Sequence, residues 1–191
     1  PNLWTSKFPN GQGAAGGRRV GEGRAGAGNW RFDVVVDGLE NDETRFPPQP
    51  LDAHIAEVDD AVSREAARVV ESQGPDLSWV YLQYTDVVAH KYGDSVEFER
   101  AVMRMDERLG TIWSGVQARQ EAHDEDWLVI VTTDHGRDPI TGRTHGSQSN
   151  RERTIWIATS SQRLTPDFYA MPEIVDIYPS IAMHLGITIP E

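Results

Sequence analysis

The sequence contains no cysteine and no long apolar run. The missing cysteines exclude disulfides and thiolate metal sites. Any metal ion must then be held by histidine and carboxylate side chains, which points to zinc or another divalent cation. A transmembrane helix needs about 18 consecutive apolar residues, so none is predicted, and no secretory signal is visible. These absences leave the cellular compartment open.

Basic residues are also few, with 18 Lys and Arg against 30 Asp and Glu and a formal net charge of −12. A general nucleic-acid-binding protein carries a basic surface for phosphate contacts, so this balance argues against such a footprint. The chain has 191 residues, of which 38% are hydrophobic and 25% charged. These values are typical of a globular protein with one domain and a core.

The amino-terminal part differs from the rest in charge and glycine content. Residues 1–31 hold five basic residues and one acidic residue, and eight of the 17 glycines lie between Asn10 and Asn29. No hydrophobic period runs through this part, which predicts a flexible or loop segment at residues 1–31. Gly11 to Gly16 matches GxGxxG, but no strand precedes it and no helix follows, which favours a surface loop over a nucleotide site.

Hydrophobic periodicity predicts alternating strands and helices in the remainder of the chain. The predicted strands lie at residues 32–36, 77–84, 128–131 and 154–158, and the predicted helices at residues 51–73, 94–120 and 172–185. Asp52 is predicted to cap the first helix and Gly74 to end it, and Asp94 with Glu97 forms a predicted capping box on the second. This order implies an α/β layer fold with a mostly parallel sheet.

Two of the predicted strands end in the same pair of residue types. Asp86 and His90 follow the second strand, four residues apart, and Asp134 and His135 follow the third, with His145 ten residues later. Strand ends of a parallel sheet meet in one crevice, so these five side chains are candidate metal ligands. The side chains of adjacent residues diverge, so Asp134 and His135 suit a site with two metal ions.

Each of these residues also has an ordinary interpretation. A single Asp at a strand end is most often a cap, and a single His is most often a satisfied side chain, which is our interpretation of His54, His123 and His184. Two such motifs at consecutive strand ends are much harder to obtain by chance. Four arginines around the motifs are candidate phosphate ligands, although pairing with the acidic surface explains each of them equally well. They are Arg137, Arg143, Arg151 and Arg153.

The motifs Asp86-x-x-x-His90, Asp134-His135-Gly136 and Thr144-His145-Gly146 resemble the metal-binding motifs of the alkaline phosphatase superfamily. The similarity is closest to its type I phosphodiesterase/nucleotide pyrophosphatase branch and covers about residues 50–189. The resemblance implies a three-layer α/β/α fold with a mostly parallel sheet. Residues 32–191 would form the carboxyl-terminal part of a single catalytic domain of this kind.

The resemblance further implies a metal-dependent phosphoester hydrolase with two zinc ions and a covalent intermediate. One ion would be held by Asp86, His90 and His145, and the other by Asp134 and His135. The family completes its second site with an Asp and a Thr or Ser nucleophile from an earlier strand and helix. Neither pattern is found in this sequence.

We therefore expect the nucleophile to lie outside this chain. The chain would be a fragment or processed product, with the amino-terminal strand and nucleophile segment of the domain supplied by a second polypeptide. The resemblance implies a small-molecule phosphoester as the substrate and an extracellular or periplasmic location. Two alternatives stay open: a sulfatase or phosphonate hydrolase of the same superfamily, and a non-catalytic metal-binding domain.

Overall fold

A computed structural model describes residues 2–6 and 34–188 of the chain. The predicted loop at residues 7–31, with its GxGxxG motif, lies outside the described residues. The chain divides into two compact units, residues 1–125 and residues 126–191, which we call unit 1 and unit 2. Both strands and helices are present, as expected for an α/β protein. Among the described helices, none is both long and apolar enough to cross a membrane.

The described residues of unit 1 form three helices, of which the first and third were predicted from periodicity and the second was not. They are α1 at Leu51–Gln73, α2 at Tyr84–Tyr92 and α3 at Val96–His123, with a short 3-10 turn at Leu39–Asn41 before them. The apolar stripe of α1 is fully buried at Val58, Val62 and Val69. Each such side chain stabilises the fold by about 1.5–3 kcal/mol. Gly74 ends α1 at φ 52°, the left-handed conformation that glycine adopts without strain.

The part of unit 1 that the structure describes contains a sheet with strands in the order β2-β1-β3. They are β1 at Asn2–Ser6, β2 at Val34–Val36 and β3 at Leu77–Tyr81. The first strand lies between the other two and is antiparallel to both. Our expectation of a mostly parallel sheet is therefore wrong for these pairings, because a strand from the predicted loop segment separates the two predicted strands. The predicted loop segment therefore contains a strand. The sequence analysis missed this strand because five residues are too few to show a hydrophobic period.

Residues 126–188 of unit 2 form a two-stranded sheet and three short helices. They are β4 at Ile130–Thr132, β5 at Ile157–Thr159, α4 at Asn150–Arg153, α5 at Pro166–Ala170 and α6 at Ile177–His184, with a 3-10 turn at Ile174–Asp176. The two strands are antiparallel, with Val131 opposite Ala158. The chain between them returns through loops and the single turn of α4. Here too the prediction of parallel strands is wrong, because β4 and β5 are antiparallel. The short connection agrees with this, since parallel neighbours are usually joined by a longer crossover helix.

Two helix caps differ from their predictions. Pro50 is the N-cap residue of α1, and the Asp52 carboxylate, two residues later, accepts a hydrogen bond from Lys91 Nζ at 2.9 Å. Ser95 caps α3, since its hydroxyl accepts from the Phe98 amide at 3.2 Å, whereas Asp94 was the predicted cap. The predicted cap is one residue away from the observed cap, because both Asp and Ser are suitable N-cap residues.

Candidate functional site

The first pair of predicted ligands lies on α2, in unit 1. Asp86 and His90 are one helical turn apart, with 3.5 Å between Asp86 Oδ2 and His90 Nε2. Both side chains are partly exposed. The (i, i+4) spacing places them on one face of the helix, so that a carboxylate oxygen and an imidazole nitrogen are available to the same ion.

A buried carboxylate fixes the helix that carries this pair. The side chain of Asp59, on α1, is completely buried and accepts hydrogen bonds from the backbone amides of Gln83 at 3.1 Å and Tyr84 at 2.8 Å. Free amides at a helix start need such acceptors, so Asp59 attaches the beginning of α2 to α1. The sequence pattern did not predict this role. Its signal is an acidic residue within the apolar stripe, between Ile55 and Val62.

Arg108 of α3 completes a buried charge network around Asp59. Its Nη1 lies 3.6 Å from Asp59 Oδ2, its Nε donates to Asp60 at 2.7 Å, and its Nη2 donates to the Ala56 carbonyl at 2.5 Å. Burial raises the pKa of Asp59, although the two backbone amides oppose this shift. Burial alone would also raise the pKa of Asp60, but hydrogen bonds from Arg108 and Arg104 outweigh it and lower that pKa.

The second group of predicted ligands lies in unit 2, after β4. Asp134 Oδ1 is 3.6 Å from His135 Nε2, and His135 Nδ1 lies 2.8 Å from the Gly136 carbonyl oxygen. A carbonyl only accepts hydrogen bonds, so Nδ1 carries the proton. In a neutral imidazole held in this way the lone pair is on Nε2, where an ion can bind.

His145 lies directly against His135. The two imidazole rings are stacked with 3.8 Å between their centroids and 18° between their planes. A ligand nitrogen of one ring lies within 4.8 Å of a ligand nitrogen of the other. The donor set of two imidazoles with a carboxylate beside them fits a divalent cation of the zinc type. Unit 2 therefore places His135 against both Asp134 and His145, whereas the division of the five ligands between two ions stays a prediction.

Gly136, the third residue of the Asp-His-Gly motif, lies against the backbone of α4. Its amide donates to the Glu152 carbonyl at 2.7 Å, and a Cβ at this position would overlap the Arg151 carbonyl oxygen. Glycine is required here by close approach of two backbone segments. This contact holds the chain that follows His135 against α4.

Glu152 of α4 supports the chain that follows His145. Its side chain is buried and accepts from the backbone amides of Ser147 at 2.9 Å and Ser149 at 3.1 Å, and from the Ser149 hydroxyl at 2.5 Å. The hydrogen bond from the Ser149 hydroxyl, with those from the two amides, lowers the pKa of Glu152. The sequence pattern did not predict this support, although Ser149 and Glu152 have the spacing of a capping box.

Other candidate side chains have ordinary structural contacts. Arg151 donates to the Asp138 carbonyl at 3.0 Å and Arg153 to Asn150 Oδ1 at 2.8 Å, which favours a structural role over a phosphate site for these two. His54 contacts the Glu40 carbonyl and His184 the Asp126 carbonyl through Nε2. These contacts confirm the interpretation of both histidines as satisfied side chains.

Comparison with known proteins gave a matching family and distant relatives. The family described as type I phosphodiesterase / nucleotide pyrophosphatase matches residues 9–180. GPI ethanolamine phosphate transferase 3 of Eremothecium gossypii is 30% identical over 118 residues, which cover 55% of this chain and 11% of the relative. The chain thus spans about a tenth of the length of this curated relative. No solved structure matches this chain.

Proposed function

The chain belongs to the type I phosphodiesterase/nucleotide pyrophosphatase family, and from that premise we propose that it supplies metal ligands to a phosphoester-processing site. The proposed ligands are Asp86, His90, Asp134, His135 and His145. The proposed ions are two divalent cations, with zinc favoured by the imidazole and carboxylate donors. Phosphoester-related chemistry is common to the family and to the named function of the fungal relative.

The observation that carries the proposal is the pair of stacked imidazoles in unit 2. The hydrogen bond of His135 Nδ1 to the Gly136 carbonyl orients the ring and fixes its tautomer, which is how metal-binding histidines are commonly held. His145 lies against that ring, and Asp134 is beside it. Within unit 1, the Asp86 and His90 pair has a comparable carboxylate–imidazole arrangement.

Bound divalent ions would supply positive charge to the oxygens of a phosphoester. The residues of this chain would hold those ions: the imidazoles through a neutral nitrogen, and the carboxylates by offsetting part of the ionic charge. No residue of this chain is assigned as the attacking group, which we propose lies on a second polypeptide segment. That group would displace the leaving alcohol of the ester from phosphorus, and water or a second alcohol would then take the phosphoryl group from it. The name of the relative favours testing transfer as well as hydrolysis.

Replacing a ligand tests the metal site directly. We expect His145→Ala to lower zinc occupancy of the full chain by at least about tenfold at limiting zinc, because a loop ligand is lost while the fold is kept. His123→Ala is the matched control, since His123 is an exposed histidine at the end of α3. Equilibrium dialysis followed by metal analysis measures both variants. Unchanged occupancy in His145→Ala would contradict the assignment.

The choice of substrate separates this proposal from its alternatives. We expect the complete gene product, loaded with zinc, to cleave an aryl phosphodiester faster than an aryl sulfate or an aryl phosphonate ester. A preference for either of the latter would favour a sulfatase or phosphonate hydrolase of the same superfamily. Zinc binding without turnover of any of the three esters would favour a non-catalytic metal-binding domain.

A further inference from the structure

The Asp138 carboxylate lies at the centre of the loop that leads to His145. Its Oδ1 accepts from the backbone amides of Ile140 at 3.0 Å and Thr141 at 2.8 Å, and its Oδ2 accepts from the Thr144 amide at 2.9 Å. The Thr141 hydroxyl also donates to Oδ2, at 3.0 Å. These hydrogen bonds, first of all that from the Thr141 amide, lower the pKa of Asp138 well below its ordinary value.

The backbone closes the same loop. The Asp138 amide donates to the Thr144 carbonyl at 2.9 Å, and the Gly142 amide donates to the Asp138 carbonyl at 3.2 Å. Arg151 Nη1 donates to that same carbonyl, which attaches the loop to α4. Residues 138–144 contain no helix or strand, so these hydrogen bonds give the loop its defined conformation.

The backbone is held by a carboxylate on each side of His145. The Thr144 amide donates to Asp138, and the Ser147 amide donates to Glu152. Gly146, at φ 105°, allows the turn between them. The backbone on both sides of His145 is therefore fixed by acidic side chains that do not belong to the predicted ligand set.

We propose that Asp138 is a positioning residue for His145. It holds the backbone on the amino-terminal side of His145, so that the imidazole is stacked on His135 before any ion binds. This inference rests on the proposed function, in which His145 is a metal ligand. Replacing a residue that supports a metal ligand without binding the ion typically lowers metal affinity by about 10- to 100-fold.

Asp138→Asn tests the inference with little change of size. Asparagine keeps one oxygen for the turn, but its NH2 group cannot accept from the Thr144 amide. We expect the zinc dissociation constant of the full chain to rise by about 10- to 100-fold. In the metal-free protein we expect trypsin to cleave after Arg143 about tenfold faster or more, because opening of the loop controls access to this bond. Arg163, an exposed arginine of the same unit, is the reference cleavage site.

Two control variants separate positioning from charge and from the hydroxyl contact. Asp167→Asn removes one negative charge from an exposed position of unit 2. Thr144→Val removes only the hydroxyl that lies 3.3 Å from Asp138 Oδ2 and keeps the backbone amide. We expect each to change zinc affinity and cleavage after Arg143 by less than about threefold.

If trypsin cleaves metal-free Asp138→Asn after Arg143 at the wild-type rate, the inference is overturned. A loss of zinc affinity no larger than that of Asp167→Asn would also overturn it. If wild-type protein binds no zinc, the proposed function fails, and the cleavage rates of the metal-free proteins still decide whether Asp138 fixes the loop. If Asp138→Asn also speeds cleavage after Arg163, the unit has unfolded. Asp138→Ser, which keeps a turn-forming oxygen, then takes its place with the same expected results.

Discussion

At the scale of single residues, Gly136 shows how close packing restricts the Asp-His-Gly motif. A Cβ at this position would overlap the Arg151 carbonyl oxygen and lie 2.8 Å from the Thr154 carbonyl oxygen. Both are backbone atoms, which cannot rotate away as a side chain does. We therefore expect Gly136→Ala to lower the free energy of unfolding by about 1–3 kcal/mol, the usual range for overpacking, as measured by urea denaturation.

Gly110→Ala is the matched control for this substitution. Gly110 lies within α3, and a Cβ there would contact nothing within 4 Å. Alanine is favoured over glycine inside a helix by about 0.5–1 kcal/mol, so we expect this variant to be more stable than the wild type. Equal stability of Gly136→Ala and the wild-type protein would show that the backbone of α4 yields to the added methyl group.

Residues of the candidate site differ in how far the sequence predicts them. Asp86 and His90 are four residues apart, so their spacing predicts that the two side chains lie together. Asp134 and His135 are adjacent, and their side chains were expected to diverge, yet Asp134 Oδ1 lies 3.6 Å from His135 Nε2. Asp138 and Glu152 act on backbone amides and offer no ligand spacing. Their signals were weaker ones, a turn sequence that contains proline and glycine and a capping-box spacing, which predict local structure without naming the histidine that it holds.

At the scale of elements, α2 depends on a buried charge from a neighbouring helix. Asp59 accepts from the amides of Gln83 and Tyr84, and Arg108 lies beside it with only 4% of its side chain exposed. Asp59→Ala would leave that guanidinium with less buried negative charge and the start of α2 without its acceptor. We expect a loss of about 3–5 kcal/mol in the free energy of unfolding, measured by chemical denaturation.

Glu65→Ala on the same helix is the control for Asp59→Ala. Glu65 forms an ion pair with Arg68 at 2.6 Å on the surface of α1, where such pairs contribute about 0–1 kcal/mol. Both substitutions remove one carboxylate from α1, so a difference between them reports burial and the contacts with α2. Similar losses in the two variants would contradict the structural role of Asp59.

Strand direction was the least predictable property of the elements. Hydrophobic runs predicted β3 and β4 within a few residues, because burial of a strand leaves a mark in its own sequence. Pairing depends on which other strand becomes the neighbour. For β2 and β3 that neighbour is β1 at Asn2–Ser6, a five-residue segment in front of a glycine-rich stretch. Nothing in the sequences of β2 and β3 indicates it.

At the scale of the whole molecule, hydrogen bonds stabilise the charged form of several carboxylates in this acidic chain. The pKa of Asp52 is lowered first of all by its hydrogen bond to Lys91, and that of Asp138 by backbone amides. The pKa values of Asp60 and Glu152 are lowered as well. These four residues belong to both units of the chain. Asp59 has the opposite shift, because burial raises its pKa.

These shifts predict how stability depends on pH. A carboxylate with a lowered pKa in the folded state contributes stability above its unfolded pKa, near 4, and this contribution is lost as the pH falls through the folded value. A raised pKa, as at Asp59, gives stability at low pH that is lost as the pH rises. Four carboxyl groups have a lowered pKa and one has a raised pKa. We therefore expect the urea concentration at the unfolding midpoint to decrease as the pH is lowered from 6 to 3.

Asp138→Asn provides the control for this pH dependence. The variant cannot titrate at this position, so its urea midpoint should fall less steeply with decreasing pH than that of the wild-type protein, although it starts from a lower value at pH 6. A wild-type midpoint that rises between pH 6 and pH 3 would show that buried Asp59 dominates the acid response, rather than the hydrogen-bonded carboxylates.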